Sequence, residues 1–375
     1  MNSGPARRSS PRPGGRFWQY GHMLSRRGTR RRLSGALVSA ALMIGAATIG
    51  APSTTAAPVE EQGTGSSDGP GMAEQTRPMP ARPKISGVSE ITDRRLRVYV
   101  DSPAMSRTVE VQVLLPRDRS APRPTVYMLD GRSAVEDSNN WIERGGALQF
   151  YEDKNVNVVF TVGGPASYYT DWQRPDPVLG TNMWETFLTK ELPPLIDARF
   201  NGNGRNALMG VSMGADGAMM LAVREPQLYA AVAAHSGCYT SGSDLGQAQV
   251  RAVIATYKGD PDNMFGEPED PAWLAHDVTR NAEALRGKAI YLSSGSGVPG
   301  KYEVPSNPDL LNAIGFGSPL EAGTNTCTRR LIDRLNALGI AHTANLRPTG
   351  THSWPYWADE LVSSWPTIAR GLGVG

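Results

Sequence analysis

From about residue 85 onward, the spacing of apolar and polar positions marks out a series of elements. Val109, Val111 and Val113 alternate with Glu110 and Gln112, the two-residue period of a strand with one face exposed. With residues 97–100 they predict two strands suited to the antiparallel edge of a mixed sheet. Residues 125–129 and 156–162 are apolar without alternation, as expected of strands buried on both faces. Further short runs lie at 207–210, 230–234, 289–293 and 341–346. Helical stretches fall at 183–196, 215–224, 327–338 and 361–372. Strands alternating with helices predict one α/β domain over 85–375, with a mostly parallel central sheet flanked by helices.

The first 57 residues break this pattern. Arg26, Arg27, Arg30, Arg31 and Arg32 precede an apolar run from Leu33 to Ile49, and small residues follow at Thr54, Thr55, Ala56 and Ala57. That order is the basic, apolar and small-residue plan of a secretory signal peptide. The apolar run is short for a spanning helix and contains Ser and Gly, so no stable membrane span is expected once the signal is cleaved. Residues 58–84 are rich in Glu, Gly, Ser, Pro and Thr, with few large apolar residues, and read as a disordered linker.

Composition changes the picture in two places. The chain has 375 residues with 38 Lys and Arg against 36 Asp and Glu. Nine of the Arg lie in residues 1–57, which hold no acidic residue, so the remainder carries 29 basic and 36 acidic residues, a net of −7. A basic surface for nucleic acid is therefore not expected. The two cysteines, Cys238 and Cys327, belong to an expected export product, where a bridge persists; a disulfide and two separate buried thiols both fit the sequence.

Chemistry concentrates at Gly210-Val211-Ser212-Met213-Gly214. A G-x-S-x-G sequence recurs by chance, but here an apolar run precedes it and a helix-forming stretch follows. Strand, tight turn and helix are the setting of a nucleophile elbow on the α/β-hydrolase fold. Glycines let the strand and helix pack close to the turn, and the helix N-terminus favours developing negative charge. A serine hydroxyl needs a base, and the base needs an orienting acid, in the chain order Ser, acid, His. His352, on the loop after the last strand, is the expected base. His235 at a strand end is its main rival, and His276 and His342 read as loop or packing residues. Glu303, Asp309 and Glu321 all lie where the acid should fall, and spacing does not choose among them.

Several longer stretches carry a resemblance. They are Leu129-Asp130-Gly131; Gly163-Gly164 with Tyr169-Thr170-Asp171-Trp172; Trp184-Glu185-Thr186-Phe187-Leu188; Glu269-Asp270-Pro271-Ala272-Trp273; and Thr351-His352-Ser353-Trp354 with Tyr356-Trp357. Over about residues 85–372 the chain resembles the secreted antigen 85-type mycolyltransferases of mycolic-acid bacteria. The resemblance implies an α/β-hydrolase fold and a triad of Ser212, Glu321 and His352, the acid being picked out by the pair Leu320-Glu321. It implies an oxyanion hole made by the amides of Met213 and Arg132, and sugar contacts from Asp130, Ser353 and Trp354. It departs from the family at Asp130-Gly131-Arg132-Ser133, where the mycobacterial pattern reads Asp-Gly-Leu-Arg, so the sugar-contacting Arg is displaced or lost. Cys238 and Cys327 suggest a corynebacterial-type member, in which a bridge would pin the segment beside Glu321 to the strand end near His235.

The activity so implied is mycolyl transfer from trehalose monomycolate to a second trehalose monomycolate or to cell-wall arabinogalactan, in the cell envelope, with no metal or cofactor required. The partners are trehalose mycolates and cell-wall glycan acceptors. A secreted carboxylesterase with the same triad is the alternative, with water as acceptor. A surface protein that binds sugar on an inactive scaffold is a third reading, disfavoured by the complete triad.

Overall fold

The computed structural model describes residues 80–374. The expected signal peptide at 1–57, and all but the last residues of the expected linker at 58–84, lie outside the described residues. Nine strands form one sheet: β1 (Lys84–Glu90), β2 (Arg95–Ser102), β3 (Arg107–Leu114), β4 (Arg123–Leu129), β5 (Asn157–Thr161), β6 (Gly202–Val211), β7 (Tyr229–His235), β8 (Ala289–Ser294) and β9 (Thr343–Leu346). Their order is β1-β2-β3-β5-β4-β6-β7-β8-β9. The first three strands join antiparallel, and β3 also meets β5 antiparallel. From β5 through β9 every pair is parallel. This is the α/β-hydrolase plan expected from the sequence.

The strand β1 has no counterpart in the hydrophobic pattern. Its residues Lys-Ile-Ser-Gly-Val-Ser-Glu are mostly exposed, and it pairs on one side only. A register irregularity between Ile85 and Gly87 interrupts the pairing, a common way to blunt a sheet edge.

Five helices matter for the site: α1 (Leu192–Phe200), α2 (Met213–Arg224), α3 (Asp244–Thr256), α4 (Ser318–Ala337) and α5 (Trp354–Leu372). Alternate residues of the parallel strands feed two cores. Leu208, Val232 and Leu292 pack with α2 and with Leu331 and Leu335 of α4. Met209, Ala233 and Tyr291 pack with Trp357, Leu361 and Ile368 of α5 on the other face. Strand residues one apart point to opposite faces, so one chain run serves both cores.

Several helix bounds differ from expectation. The helix expected at 183–196 is a short turn, Trp184–Thr186, then a π-helical turn, Phe187–Glu191, and then α1. Pro193 and Pro194 lack N–H donors, which removes two regular intrahelical bonds to the preceding turn. The helix expected from Cys327 starts at Ser318, with Pro in its first turn, and a π-helical turn, Ala313–Gly317, leads into it. The last helix starts at Trp354 rather than Leu361, again with Pro in the first turn. The helix α3 was absent from the expected set; Ser243 caps it by accepting from the Gly246 N–H.

Candidate active site

The turn at 210–214 joins β6 to α2 at the carboxyl end of the parallel strands, where open α/β sheets place their sites. Ser212 has φ 54° and ψ −124°, a backbone region that non-glycine residues adopt at a cost and that clusters at functional positions. Its N–H donates to the His235 carbonyl at 2.8 Å, which ties the turn to the end of β7. The flanking glycines are required by contact. A Cβ on Gly210 would stand 2.0 Å from the Gly214 carbonyl oxygen, and one on Gly214 would stand 2.2 Å from that of Asp130.

His352 comes from the loop between β9 and α5. Its backbone N–H donates to the Gly317 carbonyl at 3.1 Å, and its ring stands edge-on to Trp357 with centroids 4.8 Å apart. Nε2 lies 2.8 Å from Ser212 Oγ, and Nδ1 lies 2.8 Å from Glu321 Oε2. A carboxylate facing Nδ1 requires the ring proton there, which leaves the Nε2 lone pair to accept from the serine hydroxyl.

Glu321 sits in the first turn of α4 and is fully buried. Its Oε1 accepts from Ser236 Oγ at 2.8 Å, from the Gly295 N–H at 2.5 Å and from Ser294 Oγ at 3.2 Å. Arg347 Nη2 lies 3.8 Å from the same oxygen, and Arg347 also pairs with the buried Glu360. A buried carboxylate without donors would be costly, and this one has several. Glu321 is thus the carboxylate among the three sequence candidates that meets His352. Asp309 is exposed and pairs with Arg144 at 2.6 Å, whereas Glu303 accepts from Thr351 and Tyr356.

The remaining expected positions lie near the same turn. Met213 is the first residue of α2, so its amide precedes the first amide bonded to the Ser212 carbonyl. The loop after β4 runs alongside: a Cβ on Gly131 would stand 3.8 Å from Ser212 Cβ. Arg132 is half-buried in that loop; its carbonyl accepts from the Ala166 N–H at 3.1 Å, and its guanidinium lies 6.0 Å from the Tyr257 ring centre. Ser133 is exposed. Ser353 Oγ lies 3.1 Å from Thr351 Oγ1, and half-buried Trp354 packs edge-on against Trp141 and Trp357.

Asp130 is the most enclosed of them. Expected at a sugar, it is only 1% exposed, and its carboxylate accepts from the Gly131 N–H at 2.7 Å, the Asn140 N–H at 2.8 Å and the Asn140 side chain at 2.9 Å. Burial raises its carboxyl above the usual range, and the three donors oppose that shift. Its contacts brace the loop and leave it turned from solvent.

Cys238 and Cys327 are joined in a disulfide that ties the segment after β7 to α4. Of the other histidines, His235 is fully buried with Nδ1 2.8 Å from Ser293 Oγ, and burial lowers its imidazolium to about 3. It lies beneath the turn and does not reach Ser212 Oγ by any hydrogen bond among the described residues. His276 stacks on Phe265 at 4.1 Å, and His342 bonds the Ile340 carbonyl at 2.9 Å. The residues that cage Glu321 and Asp130, namely Ser236, Ser294, Gly295 and Asn140, carry no sequence signal of their own. A separate concavity of about 750 Å³ lies at the amino ends of β6 to β8, remote from this chemistry, and its Arg286 and Lys288 are already engaged by Glu283 and by two carbonyls.

The chain is similar to several known proteins. The family model described as Esterase matches residues 102–368. Diacylglycerol acyltransferase/mycolyltransferase Ag85A of Mycobacterium tuberculosis (strain ATCC 25618 / H37Rv) is 31% identical over 285 residues, covering 74% of this chain and 81% of that one. Ag85B of Mycobacterium avium is 32% identical over 290 residues, covering 74% and 83%. Among solved structures, MPT51 of Mycobacterium tuberculosis superposes with a TM-score of 0.61 at 26% identity, over 72% of this chain and 96% of that one. An S-formylglutathione hydrolase from Agrobacterium tumefaciens shares the fold, with a TM-score of 0.56 at 17% identity over 77% and 99%.

Proposed function

Because the chain belongs to the antigen 85 mycolyltransferase family of α/β-hydrolase esterases, we propose that it is a serine acyltransferase. In this reading it moves a mycolyl chain from trehalose monomycolate to a second trehalose monomycolate or to cell-wall arabinogalactan. The observation that carries the reading is the unbroken line from Ser212 through His352 to Glu321, with both contacts at 2.8 Å, on a turn held at the strand ends.

The reaction has two halves. Ser212 Oγ attacks the ester carbonyl while His352 Nε2 takes its proton. The amides of Met213 and Arg132 hold the resulting oxyanion, each such donor contributing about 2.7–4 kcal/mol. The tetrahedral intermediate collapses as His352 returns the proton to the departing sugar oxygen, leaving an acyl-enzyme. A second sugar hydroxyl then gives its proton to His352 and attacks the acyl carbon, and Ser212 Oγ departs with the proton that His352 returns to it. Glu321 keeps the imidazole oriented and stabilises its charged form. Ser353 and Trp354, next to the base, border the sugar subsite together with Asp130, whose hydrogen bonds to Gly131 and Asn140 also brace the oxyanion loop. The Cys238–Cys327 bridge and the expected signal peptide support work outside the cytoplasm, in the cell envelope.

The test is product partition with a trehalose ester and excess free trehalose. The proposal expects newly acylated trehalose. Free fatty acid without any transfer product would make the protein a carboxylesterase with the same acyl-enzyme.

A further inference from the structure

We propose that Glu303 is a positioning residue for the base, its carboxylate fixing the loop that carries His352. The inference rests on the reading that His352 is that base. By sequence Glu303 qualified as the triad acid, but the structure turns it to the neighbours of His352. Its Oε1 accepts from Thr351 Oγ1 at 2.6 Å, and its Oε2 accepts from the Tyr356 hydroxyl at 2.6 Å and from the Gly300 N–H at 2.7 Å. Thr351 immediately precedes His352, and Tyr356 stands in the first turn of α5 just after it. Both donors are buried. One carboxylate therefore grips the chain on both sides of the base.

The grip belongs to a larger brace. Gly350 N–H donates to the Val298 carbonyl at 2.7 Å, Gly297 N–H donates to the Gly350 carbonyl at 2.9 Å, and Ser296 Oγ donates to the Pro348 carbonyl at 2.6 Å. Lys301 pairs with Asp359 at 2.8 Å, and the Tyr302 hydroxyl donates to Asp359 at 2.9 Å. The packing is close enough to need glycine: a Cβ on Gly300 would stand 2.6 Å from the Tyr356 hydroxyl and 2.7 Å from Thr349 Oγ1. Burial raises the Glu303 carboxyl, but hydrogen bonds from Thr351, Tyr356 and Gly300 outweigh it and hold the group below the usual carboxylate range. Bonds to an ionised acceptor are the stronger kind. A glutamine there would turn an amide N–H₂ toward a donor. Releasing the loop lets the imidazole drift, and a misplacement near 1 Å costs on the order of 10²-fold in rate.

The experiment compares the parent protein with Glu303→Gln, Gly300→Ala, Thr351→Val and the Glu303→Gln/Thr351→Val pair. Turnover of p-nitrophenyl butyrate is expressed per Ser212 titrated by a fluorophosphonate, which removes any unfolded fraction. Glu303→Gln and Gly300→Ala are expected to lower kcat per titrated site by about 10- to 100-fold with KM within about twofold. The pair should lose no more than Glu303→Gln alone, because both changes break one contact. The low-field proton signal of the His352–Glu321 bond should broaden in Glu303→Gln and in Gly300→Ala. If Glu303→Gln does not fold, Thr351→Val carries the test and should lower kcat several-fold. Unchanged turnover per titrated site in these variants, whatever their melting temperatures, would overturn the proposal. Retained activity in His352→Gln would instead overturn the assignment of the base.

Discussion

Ser212 and His352 approach within 2.8 Å, yet they are held there by opposite means. The serine is placed by backbone: two glycines that admit no side chain, a positive φ, and an N–H tied to the His235 carbonyl. The histidine is placed by side chains drawn from distant segments. Glu321 on α4 fixes its ring, Glu303 grips its loop, and the Cys238–Cys327 bridge holds α4 to the segment after β7. A backbone-held group fails through sterics, whereas a side-chain-held group fails through loss of partners. The two halves should therefore respond differently to perturbation.

The largest effect is expected on the side-chain half. Glu321→Gln keeps the shape but presents an amide to His352 Nδ1, favouring the wrong tautomer. We expect kcat for an ester to fall by about 10⁴-fold while KM changes little. Steady-state kinetics on folded protein check this, and a loss under tenfold would break the contrast. On the backbone half, Gly214→Ala forces a Cβ to 2.2 Å from the Asp130 carbonyl oxygen. It should cost about 3 kcal/mol or more in urea unfolding and remove fluorophosphonate labelling together with the fold. A stable, labelled Gly214→Ala protein would show that the turn tolerates what its geometry forbids.

A smaller effect is expected from the disulfide. It closes a loop of 89 residues, and its reduction should lower stability by about 2–4 kcal/mol. Activity should fall less, because Ser236 and Gly295 still bond Glu321, and Thr328 still bonds the Gly237 carbonyl. Urea melts and initial rates with and without a dithiol reductant separate the two. A pH-dependent effect concerns His235, whose carbonyl holds the Ser212 N–H. Its folded pKa of about 3 lies below the ordinary value near 6.5. The stability it confers is therefore present above about pH 6.5 and is lost as pH falls toward about 3. The urea midpoint of the parent should drop more steeply over that window than that of His235→Gln. Parallel curves would detach His235 from the acid sensitivity of the turn.

The same contrast explains what was legible in the sequence. Backbone-held features leave local marks: glycines around Ser212, alternating valines in β3, apolar runs in β4 to β8. Those elements and the elbow could be read directly. Side-chain-held features leave no local mark. Glu321 could not be separated from Glu303 and Asp309 by spacing, partly because α4 begins in a mostly polar run, Ser318 to Thr326, with little apolar periodicity to mark its start. The edge strand β1 is polar because its faces are exposed, so it shows no alternation to find. Asp130 was expected at a sugar on resemblance, but its caging by Asn140 depends on a loop packing that no spacing predicts.

The central claim is that Ser212 carries the acyl group, and one measurement reaches it most directly. Protein quenched during turnover of a trehalose ester is digested, and the peptide bearing Ser212 is weighed. The account predicts that this peptide gains the mass of the free fatty acid less one water, and that no adduct forms in Ser212→Ala. Turnover of the ester without any adduct on that peptide, or with one that persists in Ser212→Ala, would contradict it.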